Sequence, residues 1–419
     1  MPRTRSRAFA HALDAEGQSG EAAVLFGKAG RPSAASSRPL LHVVAIGGVH
    51  QFAHFLPVAF ELARRQTVDV TIFVAGPEEQ REAAELAANL GMAGPKIVMM
   101  ATRIETLQCL VPARLRKLVL LLTWSRRLRN CDAILCAERT TTLLKQMPGR
   151  CPRIFHIPHG AGDRAAGFEN RFHLFDKVIV AGPKDRDRLI AEGRVGPEDC
   201  VIGGPVKVAS ALSRRQTGKP LFGNKRPVIL YNPHFARRLS SAEVFTRRLV
   251  EAVTRDGRFN LVIAPHVRLA EHWSSQQRLE WEALAVEDRI VVDLGSHRAI
   301  DMTYTLGADI YVGDVSSQIY EFLVRPRPCL FVDAHEAAWE DSANYAMWNF
   351  GEVVPADCDV MAAIDRAFAQ HGRFRPAQLA RVGAALHGID WTVTGMPIFP
   401  IDDPVLRGAD LISGWLGAE

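Results

Sequence analysis

No apolar run in this chain approaches the roughly 20 residues that a helical membrane span requires, so no span is expected. There is no CxxC pair and no HExxH, and Cys131 and Cys136 are five apart, which is not a zinc spacing. No metal site is therefore expected. Neither a Walker loop nor a GxGxxG loop occurs. That sets aside nicotinamide and flavin dinucleotides, and no cofactor is expected. The seven cysteines are odd in number and scattered, as for reduced thiols in a cytosol. A surplus of one charge sign is also missing. Lys and Arg number 51 and Asp and Glu 46, a net charge of +5. That suits an anionic substrate or an anionic membrane surface and is too small to argue for nucleic acid. Residues 1–39 are rich in Arg, Ala, Gly and Ser but lack the apolar core of a secretory signal, and Asp14, Glu16 and Glu21 speak against a transit peptide. They are expected to form a poorly ordered tail with a short helix over residues 7–25.

What is present is a soluble composition, 47% hydrophobic and 23% charged, over 419 residues, enough for two domains. From Leu40 onward, short runs rich in Val, Ile and Leu alternate with amphipathic segments. Strands are expected at 41–46, 68–75, 96–100, 132–136, 153–157, 176–181 and 200–202, with helices between them. Gly203-Gly204-Pro205 breaks this rhythm, and it resumes at Pro227 with strands at 227–231, 259–264, 289–292, 310–312, 329–332 and 351–354. Helices are expected at 269–285, 299–306, 360–370, 376–386 and 406–416. Such alternation implies parallel sheets with right-handed crossovers. The fold class is α/β: two Rossmann-like domains facing across a cleft. The expected boundaries are 40–212 for an acceptor-side domain, 213–226 for a linker, 227–395 for a donor-binding domain, and 396–419 for a terminal helix packing back. Residues 113–130 are apolar at 118–124 and basic at both ends. They are read as a buried crossover helix, with an anionic membrane surface as the alternative.

In open α/β sheets ligands bind beyond the carboxyl ends of strands, and side chains able to do chemistry recur there. Gly47, Gly48 and His50 follow the first strand, with His54 beyond; His159 and Gly160 follow the strand ending at Ile157. In the second half come Asn232, His234 and Arg237, then His266 and Arg268, then Ser316 and Ser317. Paired serines where a helix starts suit a phosphate, because unpaired N–H groups, the dipole and the hydroxyls coincide there. The alternative is that Asp314, Ser316 and Ser317 only cap the helix. His159 sits among glycines that let a substrate approach, and a neutral imidazole there suits proton abstraction from an acceptor hydroxyl. Asp163 either orients that ring or belongs to the turn.

With these residues together, the chain resembles the CDP-glycerol glycerophosphotransferases, which polymerise glycerol phosphate in wall teichoic acid and related polymers, and more broadly nucleotide-sugar enzymes of the GT-B type. The best matching piece is residues 308–331, with an aspartate, two serines, an aromatic-acidic helix start and a proline before the next strand. The resemblance implies that Ser316 and Ser317 bind the donor diphosphate and that His159, in its His-Gly pair, is the general base. Gly203-Gly204-Pro205 and Tyr231-Asn232-Pro233 match further family positions. There are departures. The family's Lys-x-His-Pro is Ala264-Pro-His-Val267 here, keeping His266 and offering Arg268 for the lost charge. The family's tryptophan before His-Gly is Pro158, and its basic residue after Gly-x-Pro is displaced to Lys207. The implied donor set is His266, Ser316, Ser317, Arg237, Asn232 and Arg268, with Gly47, Gly48, His50 and Gly160 on the acceptor side. The implied partners are a nucleotide-activated donor, CDP-glycerol or related, and a polymer, glycan or lipid-linked acceptor at the inner face of the cell membrane. Two other functions fit the same frame. One is a UDP-sugar transferase or epimerase, with Glu321 or Glu336 on the ribose; the other is a non-catalytic binding module.

Overall fold

The computed structural model describes residues 38–92, 94–100, 113–160, 162–163, 168–214, 220–271 and 273–418. The expected N-terminal tail and part of the expected linker lie outside the described residues. The strands of the first lobe are β1 (Leu40–Ala45), β2 (Asp69–Val74), β3 (Lys96–Met99), β4 (Ala133–Cys136), β5 (Arg153–His156), β6 (Lys177–Val180) and β7 (Cys200–Ile202). They form one parallel sheet in the order β3-β2-β1-β4-β5-β6-β7. Those of the second are β8 (Val228–Asn232), β9 (Asn260–Ile263), β10 (Ile290–Val292), β11 (Ile310–Gly313), β12 (Cys329–Asp333) and β13 (Glu352–Pro355). They form a second parallel sheet in the order β10-β9-β8-β11-β12-β13.

Both faces of each sheet are covered, which explains why these strands read as continuous apolar runs. Along β1, Leu41, Val43 and Ala45 enter one core and Val44 the other, as the two-residue period requires. The helices are α1 (Leu56–Arg65), α2 (Pro77–Asn89), α3 (Ala113–Leu128), α4 (Pro183–Ala191), α5 (Val206–Arg214), α6 (Ala242–Asp256), α7 (Ser275–Glu282), α8 (His297–Ile300), α9 (Thr303–Gly307), α10 (Gln318–Leu323), α11 (Val360–Ala385) and α12 (Pro404–Leu416). The last packs against α1, placing Val405, Ala409 and Ile412 in the core of the first lobe.

Helix α3 buries Leu120, Leu121 and Leu128 and leaves Leu115 and Leu122 exposed. No helix among the described residues is long and apolar enough to cross a membrane. Several expected elements differ. The two helices expected at 360–370 and 376–386 are one helix that runs through Pro376. The helix expected over 269–285 is shortened to α7, which begins where Ser274 and Gln277 form a reciprocal capping box. The helix expected over 299–306 is split at Met302, whose φ of 70° is left-handed. Helix α5 falls where only a break was expected.

Candidate active site

In each sheet the strand order reverses once, between β1 and β4 and between β8 and β11. Crossovers diverge there, leaving a crevice at the carboxyl ends of the strands. In the first lobe, Gly47 and Gly48 leave β1 and enter a 3-10 turn, Val49–His54. A Cβ on Gly47 would lie 1.8 Å from Gln51 Oε1, and Gly48 has φ +111°. Gly48 needs glycine for its backbone, a side chain at Gly47 would displace the Gln51 amide, and the turn they permit sets His50, Gln51 and His54 over the strand end.

The turn after β5 brings His159 to the same place. Its Nδ1 faces the Ala137 carbonyl, at the end of β4, at 3.3 Å. A neutral ring donating from Nδ1 leaves Nε2 as acceptor, and Nε2 stands 3.5 Å from Gln51 Nε2. The rings of His50 and His159 are 5.8 Å apart. The Gly160 N–H donates to His54 Nδ1 at 3.4 Å. Burial, helped by the charges of His159, His266, Lys207 and Lys117, pulls the pKa of His50 down to about 3. Burial, with Lys207, His159 and His50, holds His54 well below the usual imidazole range. Solvent reaches His159, but the cleft walls crowd its ring. That desolvation lowers its pKa against the opposing pull of the Ala137 carbonyl. All three imidazoles are thus neutral near pH 7, in a positive potential that an incoming anion would relieve.

In the second lobe, Asp314 at the end of β11 is fully buried. Its carboxylate accepts from the His234 N–H at 2.8 Å and the Ser241 N–H at 2.9 Å. It ties the loop after β8 to β11 and does not cap a helix. Burial pushes its pKa up to about 6. Ser316 is also buried, and its Oγ accepts from the Gln318 N–H at 3.3 Å. Ser317 is different: its hydroxyl makes no cap hydrogen bond, and it faces the first lobe. A Cβ on Gly160, where φ is +80°, would come within 3.3 Å of Ser317 Oγ; one on Gly162 would come within 3.1 Å of Ser317 Cβ. The His159-Gly160 turn and the serine pair, 157 positions apart in sequence, therefore meet across the cleft. Helix α10 is only six residues long, so its dipole contributes less than the hydroxyls and nearby cations.

His266 follows β9. Its Nδ1 accepts from the Arg268 N–H at 3.2 Å, and its ring is 4.7 Å from Phe235. Other expected site residues are used differently. Asn232 is buried, with its amide donating to the Ala264 carbonyl at 2.7 Å and accepting from the Tyr311 hydroxyl at 3.1 Å. It joins β8 to its neighbours. Arg237 is exposed and paired with Glu243 at 3.3 Å. Arg268 lies over the Phe235 ring at 4.3 Å and pairs with Glu271 at 3.5 Å. Asp163 does not orient His159. It is 1% exposed, accepts from Tyr320 Oη and Arg381 Nη2, each at 2.6 Å, and lies 3.3 Å from Lys184 Nζ. A carboxylate in low dielectric is held by the nearest cations and hydroxyls, and these belong to α4, α10 and α11.

Gln51 is a cleft residue that sequence patterns did not single out, and Lys207 was named only as a family position, with no role in the site. A glutamine three residues beyond a Gly-Gly pair carries no pattern of its own. The basic residue after Gly-x-Pro was the available signal for Lys207.

No protein-family model matches the chain, and no curated protein matches it in sequence. Solved structures do share its shape. S. aureus MnaA in complex with UDP has a TM-score of 0.58 at 12% identity, over 91% of this chain and 98% of that one. The UDP-GlcNAc 2-epimerase from Neisseria meningitidis bound to UDP-GlcNAc has 0.54 at 12%, over 90% and 100%. The wall teichoic acid polymerase TagF has 0.57 at 10%, over 90% and 89%, and TagF soaked with CDPG is similar to the same degree. At these identities the likeness carries the fold, and the chain has the GT-B-like architecture of two facing Rossmann-type sheets that these enzymes share.

Proposed function

We propose that the chain is a transferase that moves glycerol phosphate, or a similar polyol phosphate, from a CDP-linked donor to an acceptor hydroxyl in cell-surface polymer or glycan synthesis. The observation that carries this reading is the meeting of His159 and Gly160 with Ser317 across the cleft, among His50, His54 and His266. A site built of neutral imidazoles, hydroxyls and lysines receives a diphosphate by gaining hydrogen bonds and protons. In this mechanism Ser317, Ser316 and His266 hold the donor phosphates. The acceptor hydroxyl lies against His159 Nε2, the nitrogen left unprotonated by the Ala137 carbonyl. Its oxygen attacks the β-phosphorus, the bond from that phosphorus to the bridging oxygen breaks, and CMP leaves carrying the electron pair. The hydroxyl proton passes to His159. Asn232 and Asp163 act only by holding the scaffold. On this reading the protein works in the cytosol, where a polymer or lipid-linked acceptor is presented at the inner face of the membrane.

A UDP-sugar enzyme is the second reading, and one observation favours it. Glu321 lies at the cleft beside Ser317 with its Oε2 buried and unpartnered, a carboxylate able to take a ribose or sugar hydroxyl. A panel of CDP-glycerol, CDP-ribitol, UDP-GlcNAc and GDP-sugars read by thermal unfolding separates the two. A ligand at 100 times its Kd adds about 2.7 kcal/mol to the folded state. Stabilisation by the CDP-linked polyols is expected, and stabilisation by UDP-sugars alone would sink the CDP-linked reading. His159→Ala is expected to cut turnover by roughly 10²- to 10⁴-fold while leaving donor binding in place; near-normal turnover would remove the base assignment.

A further inference from the structure

Lys207 stands in the first turn of α5, two residues after Pro205. That is an unfavourable place for a cation. The unpaired N–H groups of a helix N-terminus already make the potential positive, α5 carries no acidic residue in its first turn, and His50 and His54 both feel the Lys207 charge. The side chain is nevertheless buried, 6% exposed, and among the described residues its ammonium donates only to Glu321 Oε1, at 2.6 Å across the cleft. The pairing is incomplete on both sides. Glu321 Oε2 has no hydrogen-bond partner although it is buried, and an ammonium has three donors to place. A buried pair kept for stability alone is a poor bargain, since desolvation offsets most of the attraction. Lys207, Glu321, Ser317, Gly160 and His54 all line one cavity between the lobes.

We infer that Lys207 is the phosphate-binding cation of the cleft and that Glu321 is its resident counter-ion, exchanged for a phosphate oxygen when the donor diphosphate enters. This rests on the reading of the cleft as a donor diphosphate site. It adds the group that supplies the fixed positive charge, which the serines and neutral histidines lack. It also gives Glu321 a second position, free of Lys207, once the donor is bound.

The test is isothermal titration of CDP, UDP, cytidine, uridine and inorganic pyrophosphate into the wild type, Glu321→Gln, and the double variant Lys207→Met with Glu321→Gln. The double variant removes both charges at near-constant volume, so no buried charge is stranded. Loss of a charge-assisted contact predicts diphosphate and pyrophosphate binding weaker by roughly 10- to 100-fold in the double variant, with nucleoside binding unchanged. Glu321→Gln alone is expected to tighten diphosphate binding several-fold, because the competing carboxylate is gone. A folded double variant that binds the diphosphates as the wild type does overturns the assignment while the donor reading stands. If the double variant does not fold, Glu321→Gln decides: unchanged or weaker diphosphate binding overturns the exchange. If the wild type binds none of the diphosphates or pyrophosphate, the donor reading fails and this inference with it.

Discussion

At the residue scale, histidines of the cleft and of the cores are held uncharged. Burial lowers the pKa of His42, His50, His54, His156 and His159. His50 and His156 fall to about 3. His156 is packed flat on Phe175 at 4.1 Å and spends Nδ1 on the Cys136 carbonyl. A histidine depressed in the folded state binds its proton more readily in the unfolded chain. Its contribution is therefore present above pH 6.5 and is lost as the pH falls toward 3. Asp314, raised to about 6, opposes this. It favours the folded state below its unfolded value near 3.8, and the contribution fades as the pH rises through 6. Asp185 is raised by burial as well and His371 is lowered. The lowered imidazoles outnumber the two raised carboxyls, so the urea midpoint is expected to fall as the pH drops from 7 to 4, and less steeply in His156→Phe. A midpoint flat or rising under acidification would refute the neutral-cluster account. What sequence could read here was residue type and loop position, which brought His159, His50 and Ser317 into view together. It could not read which way a side chain turns. Asp163 sits in the expected loop, yet it is claimed by Tyr320 and Arg381, 157 and 218 positions away, and Asn232 is the last residue of β8.

Elements were most legible where an apolar run is short and buried on both faces, and the thirteen parallel strands among the described residues lie where those runs were expected. They were least legible where tertiary contacts override local preference. Helix α11 is the clearest case. Pro376 removes one backbone donor and crowds the carbonyl four residues earlier, which favours a break. The helix continues because it is anchored on both sides of that point. Ala363, Ile364 and Ala367 sit in one core of the second lobe, and Val382 and Ala385 in the other. Between them the buried Gln378 amide donates to the carbonyls of Arg327 at 3.0 Å and Phe350 at 2.8 Å. If the proline is tolerated rather than required, Pro376→Ala restores a helix hydrogen bond and is expected to raise stability by about 1–3 kcal/mol, seen as a higher urea midpoint at unchanged slope. A fall in midpoint would show that the proline itself positions Gln378 and the end of α11.

For the whole molecule, the decisive contacts are those between lobes. Asp163 reaches Tyr320 and Arg381, Lys207 reaches Glu321, His297 on α8 reaches Glu82 on α2 at 2.5 Å, and the His387 N–H donates to the Ala181 carbonyl at 2.9 Å. Another is backbone on backbone. A Cβ on Gly182, at the start of α4, would lie 2.5 Å from the Ala385 carbonyl carbon and oxygen at the end of α11. The backbone of Gly182 is extended, so any residue fits its dihedrals and the cost of a side chain is steric alone. Gly182→Ala is expected to destabilise by about 1–3 kcal/mol and to reduce the stabilisation that donor nucleotides confer. An unchanged melting temperature with full donor response would show that this contact does not set how the lobes close. By itself the sequence determined two parallel α/β sheets and the loops that carry the polar groups, because burial on both faces and strand-end turns leave patterns within ten or twenty residues. Only the tertiary structure decided that Ser317 stands against Gly160, that Lys207 is held by Glu321, and that Asp163 is a brace between lobes. Those pairings join residues more than a hundred positions apart, and their energies depend on distance and dielectric, which no local pattern encodes.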